Sequence, residues 1–340
     1  MISKRYKSDN SASIHLNSLQ LKMRDQVARK IVDGDYETET VSCCVCNSTD
    51  QVVLSEKDRY GLYHRVVVCP VCGLVYTSPR MIQESYSSFY DNEYRLLYHG
   101  KDIPYEDLFD VGCMRGKEIA YFIENNGYDL QKAKILEVGC GAGGALHFLR
   151  DHYNCDIYGL DLGSDGIYYG RSKYDLNIEE ESLKNISFPW RPDYIIYSHV
   201  FEHILDLNKE CELIKKIMHE STLVYIEVPS IKNIRDAYNW DFLKYLQNAH
   251  TYHFSKQSLE NVLHQNGFTY VSSNEFTRSL FRFDGVNKKY VSDYPDVVQY
   301  LRKTEKLRWI EVIPKKWKIL FVKLFKKMKF HNFVHRMLKK

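Results

Sequence analysis

The sequence predicts an α/β fold, a doubly wound parallel sheet of the Rossmann-like type, and three observations predict it. From residue 131 onward, β-branched and aromatic runs take strict turns with helix-like stretches. A glycine-rich turn stands where the first of these runs meets the first helix. The last helix is punctuated at both ends: Ser255 is placed to cap its first turn, Leu259, Val262 and Leu263 form its buried face, and Gly267 closes it. Strands are expected over 134–138, 156–162, 193–198, 222–228 and 268–273, where Val, Ile and Tyr suit a pleated, buried surface. The helices expected between them cover 144–153, 207–220 and 255–265.

Ahead of this sheet domain, taken as 131–290, the chain divides into three parts. Residues 1–40 are a polar extension with one helix over 19–32, whose apolar positions Leu19, Leu21, Val27 and Ile31 make a loose stripe. Residues 41–81 hold five of the nine cysteines and form a compact module. Residues 82–130 read as helical, with Tyr86, Tyr90, Tyr94 and Tyr98 at spacing four, an aromatic stripe that serves either as core or as a lid. After the sheet, 291–340 form a basic tail: ten Lys or Arg and no acid fall in 312–340, so the remainder carries a net −7. A helix over 315–330 would set Trp317, Leu320, Phe321, Leu324, Phe325 and Met328 against a lysine face. Such a basic amphipathic C-terminal helix suits an anionic membrane surface, its own domain, or RNA. With 340 residues, 44% of them hydrophobic, the chain can bury a large core. It shows no apolar run of the roughly 18–20 residues that a membrane span needs, and its start lacks a signal-peptide core. A cytoplasmic protein is expected, peripheral on the inner membrane face if the tail binds lipid.

The glycine turn reads Ile135-Leu136-Glu137-Val138-Gly139-Cys140-Gly141-Ala142-Gly143-Gly144. Glycines there let a ligand lie against bare backbone near helix amides, and Asp161, closing the next strand, is placed to accept from ribose hydroxyls. The literal Gly139-x-Gly141-x-x-Gly144 pattern also fits a dinucleotide. Glu137 discriminates: it would repel a pyrophosphate and favour a ligand carrying a sulfonium and an ammonium, as S-adenosylmethionine does. On residues 135–143 the chain resembles the class I S-adenosylmethionine-dependent methyltransferases. The resemblance extends through 193–204, 225–229 and 250–255, about 131–280 in all. It implies that Glu137, Gly139 and Gly141 flank the methionyl part, Asp161 the ribose, Ser182 and Leu183 the adenine, and Ser198 and His199 the sulfur, with Gly143 also at the cofactor and Tyr90 and Tyr94 closing over it. Glu202 and His203 are read as bracing the turn after Ser198.

Cys43-x2-Cys46 and Cys69-x2-Cys72 supply two thiolate pairs, the arrangement of a zinc ribbon around one tetrahedral ion with no open position. Cys44 is the alternative to Cys43. The run from Cys69 to Arg80 resembles the zinc-binding module ahead of the methyltransferase domain in sugar C-methyltransferases and their relatives from surface-polysaccharide and natural-product pathways, which implies a sugar or glycan-type acceptor, free or lipid-linked. His250 aligns with the proposed base of that family and is the first candidate base; His253, Tyr252 and Glu227 are secondary. Where the family has an acid before this histidine, this chain has Ala249, which favours oxygen over carbon as acceptor. Two other readings stand beside this one: an RNA methyltransferase that uses the module and tail, which the acidic remainder disfavours, and a scaffold that binds S-adenosylmethionine without turnover.

Overall fold

The computed structural model describes residues 1–186, 189–275 and 278–308. The amphipathic helix expected over 315–330 lies outside these residues. At the N-terminus α1 (Ser18–Asp33) starts at a capping box between Asn17 and Gln20 and stops at Gly34, whose φ is +84°. Then come β1 (Thr38–Glu39), β2 (Val52–Lys57), β3 (Tyr63–Val68), β4 (Val75–Thr77) and β5 (Arg80–Met81). The helical region breaks into α2 (Gln83–Phe89), a π-helical turn (Tyr90–Tyr94), α3 (Arg95–His99) and α4 (Tyr105–Asn125).

The main domain runs β6 (Lys134–Val138), α5 (Gly144–Tyr153), β7 (Asp156–Asp161), α6 (Ser164–Tyr174), β8 (Ile178–Glu180), β9 (Tyr194–Ser198), α7 (Leu207–Ile217) and β10 (Leu223–Glu227). It continues with α8 (Ile234–Ala237), α9 (Phe242–Tyr245), β11 (Tyr252–His253), α10 (Lys256–Gln265), β12 (Phe268–Ser273), β13 (Arg278–Phe283) and α11 (Tyr294–Leu307). Seven of these strands form one sheet in the order β12-β13-β10-β9-β6-β7-β8. The five expected strands are present, and the sheet is parallel except at β13, which runs antiparallel to both β10 and β12.

Alternation along the strands loads both faces. Leu136, Leu160, Ile195, Tyr197, Val224 and Ile226 pack with α7 and α10 through Leu207, Ile214, Leu259 and Leu263. Ile135, Ile157, Tyr194, Ile196 and Tyr225 pack on the other side with Ile119 and Ile123 of α4 and Leu146 and Leu149 of α5. Small residues bring α4 and α5 close: a Cβ on Gly144 would lie 2.1 Å from the Phe109 carbonyl, and one on Gly116 would lie 2.8 Å from that of Ala145.

The cysteine module is knitted into this domain. Its antiparallel strands β2, β3 and β4 are joined by β11, with Tyr252 opposite Tyr76 and His253 opposite Val75. Cys43, Cys69, Cys72 and Leu74 belong to the same apolar cluster as Leu136 and Tyr197. No helix among the described residues is long and apolar enough to cross a membrane.

Candidate active site

From β6 the chain passes first to β7 on one side and later to β9 on the other, so the crevice beyond the carboxyl ends of these strands is the switch point where α/β sheets bind ligands. The loop after β6 depends on left-handed backbone at Gly139, Gly141 and Gly143, with φ of +74°, +57° and +80°. At Gly139 a Cβ would strike Val200, whereas at Gly141 it would meet nothing within 4 Å, so open space begins there. Asp161 closes the loop from β7: one carboxylate oxygen accepts from the Gly141 N–H at 2.7 Å and the other from the Gly163 N–H at 2.8 Å. Burial pushes the Asp161 carboxyl up, and these backbone donors oppose the shift.

Glu137 lies two residues before Gly139, inside β6. It is buried, and its Oε2 has no hydrogen-bond partner among the described residues. Burial pushes its pKa up to about 8, with Arg115 pulling it down and Asp161 adding to the rise. A buried carboxyl with an unused acceptor beside an open crevice is matched by a cationic ligand group. Ser198, at the end of β9, also has a buried hydroxyl without a partner among the described residues. His199 follows it with φ +58° and donates its N–H to the Glu227 carbonyl at 2.8 Å. Past β8, the Ser182 N–H is fixed by Glu181 at 2.7 Å, and Leu183 is buried in the cluster that holds Leu160. These residues fit S-adenosylmethionine: an orphaned carboxylate for its ammonium, a Cβ-free approach at Gly141, and polar groups at the ends of β7 and β9.

On the other side of His199 sits a second buried carboxylate, Glu202, at 1% exposure, with neither oxygen hydrogen-bonded among the described residues. His199, His203 and His250 each bring a ring nitrogen to 3.8–3.9 Å from its Oε1. Tyr90 and Tyr94 cover this group: the Tyr90 hydroxyl is 2.7 Å from His203 Nδ1, and the two tyrosine rings meet edge to face at 4.8 Å. The π-helical turn that carries them is anchored on its far side by Glu93, which Lys30, Gln26 and Tyr36 all bind. Of the candidate bases, His250 reaches Glu202. His253 lies behind it, fully buried with its ring 6.2 Å from that of His250. Tyr252 points to the opposite face of β11, donating to the Leu205 carbonyl at 3.0 Å. Glu227 is held by Arg278 at 2.8 Å and Tyr225 at 2.9 Å and acts as a buttress. The side chains of Glu202 and His203 do not hydrogen-bond each other, their closest approach being 3.8 Å, but His203 Nδ1 meets the Ala249 carbonyl at 2.9 Å and the Glu202 carbonyl accepts from the Thr251 N–H at 2.9 Å, contacts that brace the turn and leave the Glu202 carboxylate unpaired among the described residues. Their sequence signal, an acid-histidine pair just past the fourth strand, gives no hint of the missing partners.

The four cysteines Cys43, Cys46, Cys69 and Cys72 converge, with sulfurs within 4.8 Å of one another and the pairs Cys43–Cys72 and Cys46–Cys69 at 3.4 Å. A tetrahedral zinc with bonds of about 2.3 Å needs sulfurs about 3.8 Å apart, so the set fits the ion. Each Cys-x2-Cys pair has one local geometry. The carbonyls of Cys43 and Cys69 accept from the N–H four residues on, and those residues, Asn47 and Gly73, have φ of +57° and +87°. Cys44 stands outside the cluster, its carbonyl held by Asn208 at 3.2 Å and Gln265 at 2.6 Å.

Residues 106–273 match the family model described as a methyltransferase domain. A segment of 65 residues is 35% identical to a fatty-acid O-methyltransferase of Mycolicibacterium smegmatis, covering 18% of this chain and 24% of that protein, so the chain spans only about a quarter of that curated relative. Among solved structures, the chain is similar to the plantazolicin methyltransferase BpumL, at 16% identity and TM-score 0.38, covering 68% of this chain and 86% of that one. Another is a methyltransferase from Aquifex aeolicus, at 17% identity and TM-score 0.37, covering 50% and 95%. With the glycine loop in place after the first sheet strand, residues 106–273 form a class I S-adenosylmethionine-dependent methyltransferase domain.

Proposed function

We propose that the protein transfers a methyl group from S-adenosylmethionine to a hydroxyl of a sugar or glycan-type acceptor, with the four-cysteine cluster holding a structural zinc ion. The orphaned carboxylate of Glu137 carries the cofactor assignment. Bound S-adenosylmethionine supplies a methyl group already activated by its sulfonium, so the protein has to align the acceptor and take up its proton. Glu137 would face the cofactor ammonium, Gly139 and Gly141 the methionyl chain, Asp161 the ribose, Ser182 and Leu183 the adenine, and Ser198 and His199 the sulfur. Tyr90 and Tyr94 would exclude water from the crevice. The proton would pass to the imidazoles around Glu202, which burial keeps neutral at His203 and His250.

The acceptor side supports a hydroxylated substrate. Tyr90, Tyr94 and Tyr98 present stacked and edge-on rings, and Arg59, Gln247 and the histidines supply hydrogen-bonding groups. Faces of aromatic rings beside fixed polar groups suit a sugar. All four cysteine positions are taken by protein, so the zinc would have no open site for chemistry. The basic tail is compatible with a lipid-linked acceptor at an anionic leaflet.

The test is transfer of a deuterated methyl group from labelled S-adenosylmethionine to fractionated nucleotide sugars, lipid-linked glycans, fatty acids and RNA, with calorimetric titration of S-adenosylmethionine and NAD alongside. Label in a sugar fraction is expected. Label confined to RNA or acyl chains, or binding of NAD in place of S-adenosylmethionine, overturns the reading.

A further inference from the structure

Three facts about the Glu202 cluster go beyond methyl transfer. First, the His203 Nδ1 lies 2.9 Å from the Ala249 carbonyl and 2.7 Å from the Tyr90 hydroxyl; the carbonyl has no proton to give and the hydroxyl can turn to that carbonyl at 3.4 Å, so the tautomer that satisfies all three carries its hydrogen on Nδ1 and leaves the Nε2 lone pair facing Glu202. Second, Gln247 has its side-chain oxygen fixed by Arg59 at 2.6 Å, so its amide NH2 faces His250 Nε2, and that nitrogen too is a lone pair. Third, both oxygens of Glu202 lack any donor among the described residues. A buried carboxylate that lacks a donor among the described residues and two imidazole Nε2 atoms, one of them accepting from the Gln247 amide, therefore converge at a place that a cation would complete.

We infer that Glu202, His203 and His250 form a binding site for a divalent transition-metal ion, separate from the cysteine cluster. Their ligand atoms already lie within 4.8 Å of one another. Bonds of about 2.0–2.2 Å set neighbouring ligands about 3.0–3.5 Å apart, so closure takes side-chain rotation of about 1 Å. Binding replaces the Gln247 amide at His250 Nε2. Two imidazoles and one carboxylate select Zn2+, Co2+, Fe2+ or Mn2+ over Mg2+ and Ca2+, which take all-oxygen sets. The His203 Nδ1–H bond to the Ala249 carbonyl is the outer contact that orients a ligating histidine. His199 Nδ1, 3.8 Å from the same carboxylate oxygen, is within reach as a fourth ligand. Tyr90 and Tyr94 cover the cluster, their rings 6.0 and 6.5 Å from that of His203. If the methyl-transfer reading holds, the ion would make an acceptor hydroxyl bound to it more acidic, and with His203 and His250 serving as ligands the proton would pass to water in place of their imidazoles.

The experiment titrates the full chain, its cysteine cluster filled with zinc, with Co2+ followed by visible absorption. Thiolate charge-transfer bands report any exchange into the cysteines, and weaker ligand-field bands report a nitrogen–oxygen site. The inference expects about one further equivalent without thiolate bands, with affinity at least tenfold weaker in Glu202→Gln, His203→Asn and His250→Gln. S-adenosylmethionine binding measured on the same samples shows that each variant is folded. No second equivalent in the wild type, or a folded variant that binds Co2+ as tightly as the wild type, overturns it. Because the readout is metal binding, it stands or falls apart from methyl transfer: a wild type that binds Co2+ but not S-adenosylmethionine would sink the proposed function alone.

Discussion

At residue scale, the chemistry turns on carboxylates placed where water cannot reach them. Glu137 has a folded-state pKa of about 8, above its ordinary value, so its contribution to stability is full below about pH 4.5 and is lost as pH rises through about 8. The ligand-free Glu137→Gln variant has no such loss. Its stability relative to wild type is expected to increase by about 2–4 kcal/mol between about pH 5 and pH 9, read from urea melts across that range. The same variant should bind S-adenosylmethionine about tenfold or more weakly, since a hydrogen bond to a charged group is worth about 1.5–3 kcal/mol. Asp161→Ala should also weaken binding by about tenfold and lower stability, because the Gly141 and Gly163 N–H groups lose their acceptor. Wild-type affinity in that variant would show that the ribose lies elsewhere. Glu137 could be singled out in the sequence by its spacing to the glycines, and the structure leaves its Oε2 without a partner among the described residues. Glu202 could not be singled out there, since what marks it is the lack of donors around it, and that depends on residues 47–48 positions downstream.

At the scale of elements, legibility followed burial. Strands β6, β7, β9 and β10 are runs of Val, Ile, Leu and Tyr buried at nearly every position, and the alternation with helices exposes them. The sequence missed β8, three residues at the sheet edge, and β13, whose charged Arg278 and Arg282 break its apolar run. The contact between α4 and α5 is checkable. Gly144→Ala puts a methyl group 2.1 Å from the Phe109 carbonyl, where backbone must move, and should cost about 1–3 kcal/mol in a denaturant melt. The cysteine set is checkable by metal content: Cys43→Ser is expected to lose zinc and Cys44→Ser to keep it, since only the former faces the cluster. Zinc lost in Cys44→Ser and kept in Cys43→Ser would show that the sequence alternative at Cys44 is the real ligand.

On the scale of the whole molecule, the matched domain and the folded unit differ. Residues 106–273 omit β13, the strand between β10 and β12, so expressed alone that piece is expected to precipitate or melt without a cooperative transition in calorimetry, whereas the full chain melts as one unit. A soluble, cooperatively folded 106–273 would mean that the N-terminal module is dispensable. Removing zinc with a chelator should lower S-adenosylmethionine turnover as well as the melting midpoint, because the module and the segment after His250 share one sheet. That shared seam restricts how such proteins can be recombined. A designer who swaps the cysteine module for one from another enzyme, hoping to change the acceptor, also swaps the strand against which residues 252–253 are laid, and so tilts His250. Exchange would succeed only if 41–81 and 247–255 travelled together as one cassette.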